Sequence, residues 1–188
     1  NRYVARVVTD VKIEQSPWWL QKRLMYAGMR PINNIVDITN YVMLEYGQPI
    51  HAFDIRSIKG SRISVDTADE GEVFTTLDGM ERTLTKDMLL IKDGERSVAI
   101  AGVMGGLNSE IVEDTNTIVV ESANFSGDSV RSTSKKLGLR TEASSRFEKG
   151  IDPELSGKAA DRVCRLIELL SAGVVTGGSL DAYPVKRE

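Results

Sequence analysis

The chain has one cysteine and one histidine in 188 residues. A single thiol cannot close an internal disulfide, which is consistent with a reducing compartment. One His and one Cys, far apart in the sequence, give no zinc constellation. There is no GxxxxGK segment, so ATP is not held by a phosphate loop of that kind. Gly102, Gly105 and Gly106 lack the GxGxxG spacing, and no G-x-S-x-G elbow marks a nucleophilic serine. No run of about 18 apolar residues is present to span a membrane. Internal repeats and low-complexity tracts are missing too. Basic charge is not in excess: the formal net charge is −3, which argues against a generic polyanion binder. Together these absences exclude many enzyme classes and leave pocket-based hydrolysis open.

What is present suffices for a folded core. Apolar residues make up 41% of the chain, enough for one domain or two tightly packed subdomains. No signal-like leader precedes Asn1, and a start on Asn rather than Met is expected of a piece excised from a longer chain. Cys164 lies beside Val163 and Ile167 in a helical run, where a thiol reads as a buried structural group rather than a nucleophile. From Ser126 to Gly150, six basic residues (Arg131, Lys135, Lys136, Arg140, Arg146, Lys149) stand against Asp128, Glu142 and Glu148, a local balance of +3. This suggests a small phosphate-facing patch. A solvated helical face of mixed charge is the other reading.

Local signals place the elements. Tyr3 to Thr9 reads as a strand, followed by Val11 to Ile13. Ser16 and Pro17 predict a cap and first turn for a helix through Ala27, closed by Gly28. The region 62–101 is β-rich: Arg62 to Asp66 alternates, and Asp78-Gly79 and Asp93-Gly94 sit between strand-like runs, a hairpin signal. Thr117 to Glu121 reads as another strand. Helices are predicted over 126–137, 142–149 and 153–171, with Val174 and Val175 starting a closing strand. The expected fold is α+β, a mixed or antiparallel β core flanked by helices in two closely packed subdomains. Residues 1–188 are expected to form a single functional domain.

The segment Arg30 to Asp54 carries the most information. Asn33 or Asn34 caps a helix that runs to Tyr46, with Gly47 as its stop. Ile35, Ile38, Val42 and Tyr46 share one face at about 100° per residue. Thr39 falls inside that apolar stripe and Asn40 on its flank. His51 follows on a short strand, Ile50 to Phe53, after Pro49. A polar residue in a core-facing stripe needs a partner or a cavity.

This segment resembles the signature of the phenylalanyl-tRNA synthetase beta chain, bacterial type. The resemblance continues, in family order, through Ala101-Gly-Val-Met-Gly-Gly106, Val119-Val-Glu-Ser-Ala-Asn-Phe125 and Leu139-Arg-Thr-Glu-Ala-Ser-Ser-Arg-Phe-Glu-Lys-Gly150. It covers nearly the whole chain and points to that subunit's internal editing domain. The resemblance implies hydrolysis of tyrosine wrongly attached to tRNA(Phe). It implies as partners the tRNA 3′ end, tyrosine, the synthetase alpha subunit and the remaining beta-chain domains, in the cytoplasm and without a membrane. ATP and magnesium are implied for the parent ligase, with no cofactor in this domain. Carried over residue by residue, the pocket positions are Thr39, Asn40, His51, Ala101, Gly102, Gly105, Glu121, Thr141 and Ala143. Of these, His51, Thr39 and Asn40 are assigned to catalysis and the rest to substrate binding.

The chemistry is physically reasonable for these residue types. An aminoacyl ester is already activated, so hydrolysis needs a placed water, a fixed carbonyl and a stabilised oxyanion. Backbone N–H groups in Ala101 to Gly106 suit close approach; a turn that needs unusual dihedrals is the structural reading of the same glycines. Glu121 shares a strand face with Val119, and a carboxylate entering an apolar wall needs a partner. The phenol of tyrosine is one such partner, and an arginine in a salt bridge is another. His51 either holds or deprotonates the water, binds the ribose, or is structural. For Thr39 and Asn40, helix-to-loop hydrogen bonds are the structural alternative. Ala143 leaves room for the amino acid beside Thr141. A non-catalytic tRNA- or subunit-binding module with a vestigial pocket is the competing function. A free-standing trans-editing factor is a third.

Overall fold

A computed structural model describes residues 1–186. The chain opens with strand β1 (Arg2–Thr9), helices α1 (Trp18–Tyr26) and α2 (Asn34–Tyr46), and strand β2 (Ile50–Asp54). Short strands follow: β3 (Ser64–Thr67), β4 (Val73–Thr75), β5 (Glu81–Thr83), β6 (Leu89–Lys92), β7 (Ser97–Ile100) and β8 (Met104–Gly105). Then come β9 (Ile118–Asn124), α3 (Gly127–Lys136), α4 (Glu142–Phe147), α5 (Leu155–Leu169), β10 (Val174–Val175) and β11 (Leu180–Ala182). All pairings between these strands are antiparallel, and the fold is α+β as expected. The chain forms two compact units. The first holds residues 1–54, 111–124 and those from 151 onward; the second holds 55–110 and 125–150.

In the first unit, β9 is the central strand of a sheet ordered β10-β1-β9-β2, with β11 also on β1. Alternation gives this sheet two faces. Ile118 and Val120 of β9 join Val8 and Ala52 in one core cluster with Ile35, Ile38 and Val42 of α2 and Val163 and Ile167 of α5. Val119, Glu121 and Ala123 project from the opposite face. The strand is longer than its apolar run because Ser122 and Asn124 also pair with β1, in register with Val4 and Arg2.

The caps of α2 are those expected. The Asn33 side chain accepts from the Val36 N–H at 2.9 Å, and Gly47 at φ 72° ends the helix. For α1 the expected Ser16 cap is not made. Pro17 takes the cap position with no side-chain hydrogen bond, and its fixed φ starts the helix unaided. Ser16 instead donates to Asp37 Oδ2 at 2.6 Å. Cys164 is buried on α5, and burial raises its thiol above the ordinary range.

The second unit contains a four-stranded sheet, β3-β6-β7-β8, and the β4-β5 hairpin. Asp78 closes that hairpin by accepting from the Thr76 hydroxyl at 2.6 Å and from Arg82 at 2.7 Å. Asp93 organises the β6-β7 turn, accepting from the N–H groups of Glu95 at 2.7 Å and Arg96 at 2.8 Å. Both Asp-Gly signals therefore mark real hairpins.

Candidate functional site

In the first unit the sheet register brings two expected residues together. Glu121 on β9 stands opposite His51 on β2 and opposite Ala5 on β1. Glu121 is 6% exposed, and burial pushes its carboxyl up to about 7. Neither an arginine nor His51 is its partner. Tyr3 of β1, on the same face two residues before Ala5, donates its phenol to Glu121 Oε2 at 2.5 Å. That bond opposes the burial effect. Among the described residues Oε1 has no hydrogen-bond partner. Burial raises the Tyr3 phenol well above its usual range, and the neighbouring carboxylate adds to this.

His51 is held edge-on to Phe53, with ring centroids 4.4 Å apart. Burial lowers its pKa to about 4, so the ring is neutral near pH 7. Its Nε2 is enclosed and has no hydrogen-bond partner. Buried polar atoms are rarely left unpaired, and perturbed pKa values are common at functional sites. A neutral imidazole with a free nitrogen can orient a water or a ribose hydroxyl. It is a weak base.

Thr39 and Asn40 stand on α2. The Thr39 hydroxyl donates to the Val36 carbonyl at 2.7 Å, a bond inside its own helix. Its position is buried, while Asn40 is half-buried.

In the second unit, Ala101 to Val103 form the turn between β7 and β8. Gly102 sits at φ +70°. A Cβ there would lie 2.8 Å from Val130 Cγ2 and 3.0 Å from Phe147 Cδ2. The N–H groups of Ala101, Val103 and Gly106 donate to Leu89, Ile100 and Val98 at 2.9, 3.0 and 2.9 Å. The Gly105 carbonyl accepts from Leu77 at 3.0 Å. Thr141 caps α4, accepting from Ser144 at 3.0 Å, and donates to the Val103 carbonyl at 2.9 Å. The capping residue thus ties the start of α4 to the glycine turn. Ala143, two residues on, is half-buried.

Two features went unseen in the sequence. One is Tyr3, which only the β1–β9 register brings to Glu121. The other is an open groove of about 460 Å³ in the second unit, with Phe74, Thr75, Arg96, Ser97, Leu107 and Asn108 in its walls. None of the nine expected residues lines it. In the basic stretch, Lys136 pairs with Asp87, Arg146 with Glu142 and Arg140 with Glu148. Half of its cations are therefore balanced locally, which weakens the phosphate-facing reading.

Among the described residues no group of three or more His, Cys, Asp or Glu could hold an ion. No helix among them is long and apolar enough to cross a membrane.

Comparison with known proteins shows the family of the chain. The B3/4 domain family matches residues 1–172. The phenylalanine–tRNA ligase beta subunit of Clostridium acetobutylicum is 58% identical over 188 residues, covering 100% of this chain and 24% of that protein. The beta subunit of Clostridium tetani is 59% identical, covering 99% of this chain and 24% of that protein. The beta subunit of Moorella thermoacetica is 55% identical, covering 100% and 23%. The chain thus spans about a quarter of these relatives. Among solved structures, an N-terminal fragment of the phenylalanyl-tRNA synthetase beta subunit from Pyrococcus horikoshii aligns at a TM-score of 0.48 and 15% identity, over 72% of this chain and 45% of that chain.

Proposed function

Since the chain belongs to the B3/4 domain family, we propose that it is the editing domain of a bacterial-type phenylalanine–tRNA ligase beta subunit. Its reaction is the hydrolysis of tyrosyl-tRNA(Phe). One observation carries this reading: Glu121, whose carboxyl is bonded to Tyr3 through Oε2 alone among the described residues, stands directly opposite a neutral His51 whose buried Nε2 has no partner.

The need for such a site is physical. A synthetic pocket shaped for an apolar ring rejects an added hydroxyl by only about 10². A second pocket can reward the hydroxyl instead. The tyrosine phenol donates to Glu121 Oε1; phenylalanine leaves that oxygen unpaired, at a cost of about 1–3 kcal/mol. His51 orients the attacking water or the terminal ribose. Water adds to the ester carbonyl, the bond from that carbon to the ribose oxygen breaks, and the leaving oxygen takes a proton. Tyrosine and uncharged tRNA result. No step passes through a metal or a covalent enzyme intermediate.

Thr39 and Asn40 are proposed as further catalytic-site residues on α2. Ala101, Gly102, Gly105, Thr141 and Ala143 are proposed as substrate-binding positions of the second unit. The partners of the whole protein are proposed to be the tRNA(Phe) 3′ end, the alpha subunit and the other beta-chain domains, in the cytoplasm. ATP and magnesium serve the ligation step elsewhere in that assembly.

The test uses the alpha–beta ligase that contains this chain. Glu121→Gln should lower deacylation of tyrosyl-tRNA(Phe) by about tenfold or more while leaving charging with phenylalanine intact. Unchanged clearance of the mischarged tRNA in a folded variant would reject the reading.

A further inference from the structure

We propose that Tyr3 is a positioning residue for tyrosine selectivity, holding one oxygen of Glu121 so that the other is presented to the phenol of the misplaced tyrosine. The inference rests on the editing reading and adds a residue to it.

The geometry is specific. Tyr3 pairs with Ala123 and Glu121 with Ala5, so the two side chains lie diagonally across the β1–β9 ladder on one face. An aromatic side chain can reach a diagonal neighbour, and the phenol meets Glu121 Oε2 at 2.5 Å. Across the β1–β9 ladder the register partners are alanines, Ala5 for Glu121 and Ala123 for Tyr3, while on its other side Glu121 stands opposite His51 of β2. Glu121 is buried, and Tyr3 is its one hydrogen-bond partner among the described residues. A carboxylate offers about four acceptor sites on two oxygens. One donor therefore restrains Oε2 and leaves Oε1 unused.

The direction of the bond matters. Tyr3 donates, which favours the ionised carboxyl against the effect of burial. An ionised carboxyl only accepts, and a phenol ligand needs an acceptor. Without Tyr3 the group is both freer to rotate and more readily protonated. A protonated carboxyl discriminates poorly, because it offers a donor as well. Tyr3 thus performs for one oxygen what the substrate tyrosine performs for the other.

The experiment compares Tyr3→Phe, Glu121→Gln and the double variant in the alpha–beta ligase containing this chain. Single-turnover deacylation of tyrosyl-tRNA(Phe) and phenylalanyl-tRNA(Phe) gives a half-saturation concentration and a maximal rate for each. Tyr3→Phe is expected to raise half-saturation for the tyrosyl substrate about tenfold, with the maximal rate changed less than about threefold. The ratio between tyrosyl and phenylalanyl substrates should fall by the same factor. In the Glu121→Gln background, Tyr3→Phe should add nothing, because both act through one carboxylate. A chain carrying 3-fluorotyrosine at position 3 keeps the phenol and should keep the discrimination, which separates loss of the hydrogen bond from loss of the fold. If Tyr3→Phe leaves discrimination intact while Glu121→Gln abolishes it, the positioning role is wrong and the editing reading stands. Tighter tyrosine binding in Tyr3→Phe also overturns the role, since Tyr3 would then be blocking Glu121. If neither variant changes discrimination, the editing reading fails and takes the inference with it.

Discussion

On the sheet face of the first unit, Glu121 leaves Oε1 unpaired and His51 encloses an Nε2 without a partner. At the glycine turn of the second unit several of the polar groups are already paired. Ala101, Val103 and Gly106 donate within the strands around them, and Thr141 both caps a helix and holds Val103. The two regions carry equally strong sequence signals, yet they differ in what they have left to offer. An unpaired buried group such as His51 Nε2 costs stability, and a polar ligand atom is one thing that can complete it. Satisfied groups build shape. On the proposed editing reading, the first region would meet the substrate's polar atoms through side chains, while the second would contribute mainly the form of its backbone.

The sharpest way to break this contrast is at Gly102. Its φ of +70° disfavours any L side chain, and a Cβ would press on Val130 at 2.8 Å and Phe147 at 3.0 Å. Left-handed strain costs about 1–2 kcal/mol, and overpacking about 1–3 kcal/mol. Gly102→Ala should therefore destabilise the chain by about 2–5 kcal/mol in urea unfolding. A loss under about 1 kcal/mol would show that the turn yields easily. The glycine would then be kept for close approach of a ligand rather than for the fold.

Legibility in the sequence follows the range of each interaction. Asn33 and Gly47 bound α2 through bonds to Val36 and Met43, three and four residues away, and both ends were readable. The Asp-Gly hairpins were readable for the same reason. Ser16 was misread because its partner, Asp37, lies 21 positions on. The polar end of β9 and the short strand β11 were missed because pairing with β1, not local propensity, makes them strands. At the site, resemblance supplied the residues and alternation supplied the face of Glu121. Tyr3 is 118 positions from Glu121, and only strand register joins them. The helix-internal bond of Thr39 was within local reach, but Ser and Thr side chains choose among several local acceptors.

Within the first region, Glu121 and His51 can be told apart by the sign of their pH effects. The Glu121 carboxyl rises from an ordinary 4.5 to about 7 on folding. Between those values the folded state holds more protons than the unfolded one, so this group makes stability fall as pH rises. His51 drops from 6.5 to about 4. Between those values the unfolded state holds more protons, so this group makes stability fall as pH is lowered. The two effects oppose each other across much of the range, each on the order of 3 kcal/mol. Glu121→Gln should deepen the loss on acidification from pH 6.5 to 4.5 and remove the decline toward pH 7. His51→Gln should do the reverse. Urea unfolding at pH 4.5, 5.5, 6.5 and 7.5 measures both. Parallel curves for wild type and both variants would mean that neither side chain titrates differently in the fold.

The smallest effect is expected at the chemical step itself. An obligatory general base contributes about 10²–10⁴ in rate and works best with a pKa near the operating pH. His51 has a pKa of about 4 and no carboxylate bonded to it that would raise its basicity. At neutral pH it is always unprotonated but accepts a proton weakly. Its free Nε2 is better suited to holding a water or a ribose hydroxyl, and a glutamine amide offers a similar polar atom. His51→Gln should therefore slow single-turnover deacylation of tyrosyl-tRNA(Phe) by less than about tenfold, well below the loss of a general base. Any titration near pH 7 belongs to Glu121 and should persist in that variant. If His51→Gln instead lost several orders of magnitude and the neutral titration together, His51 would be the base. The first region would then supply the chemistry as well as the recognition.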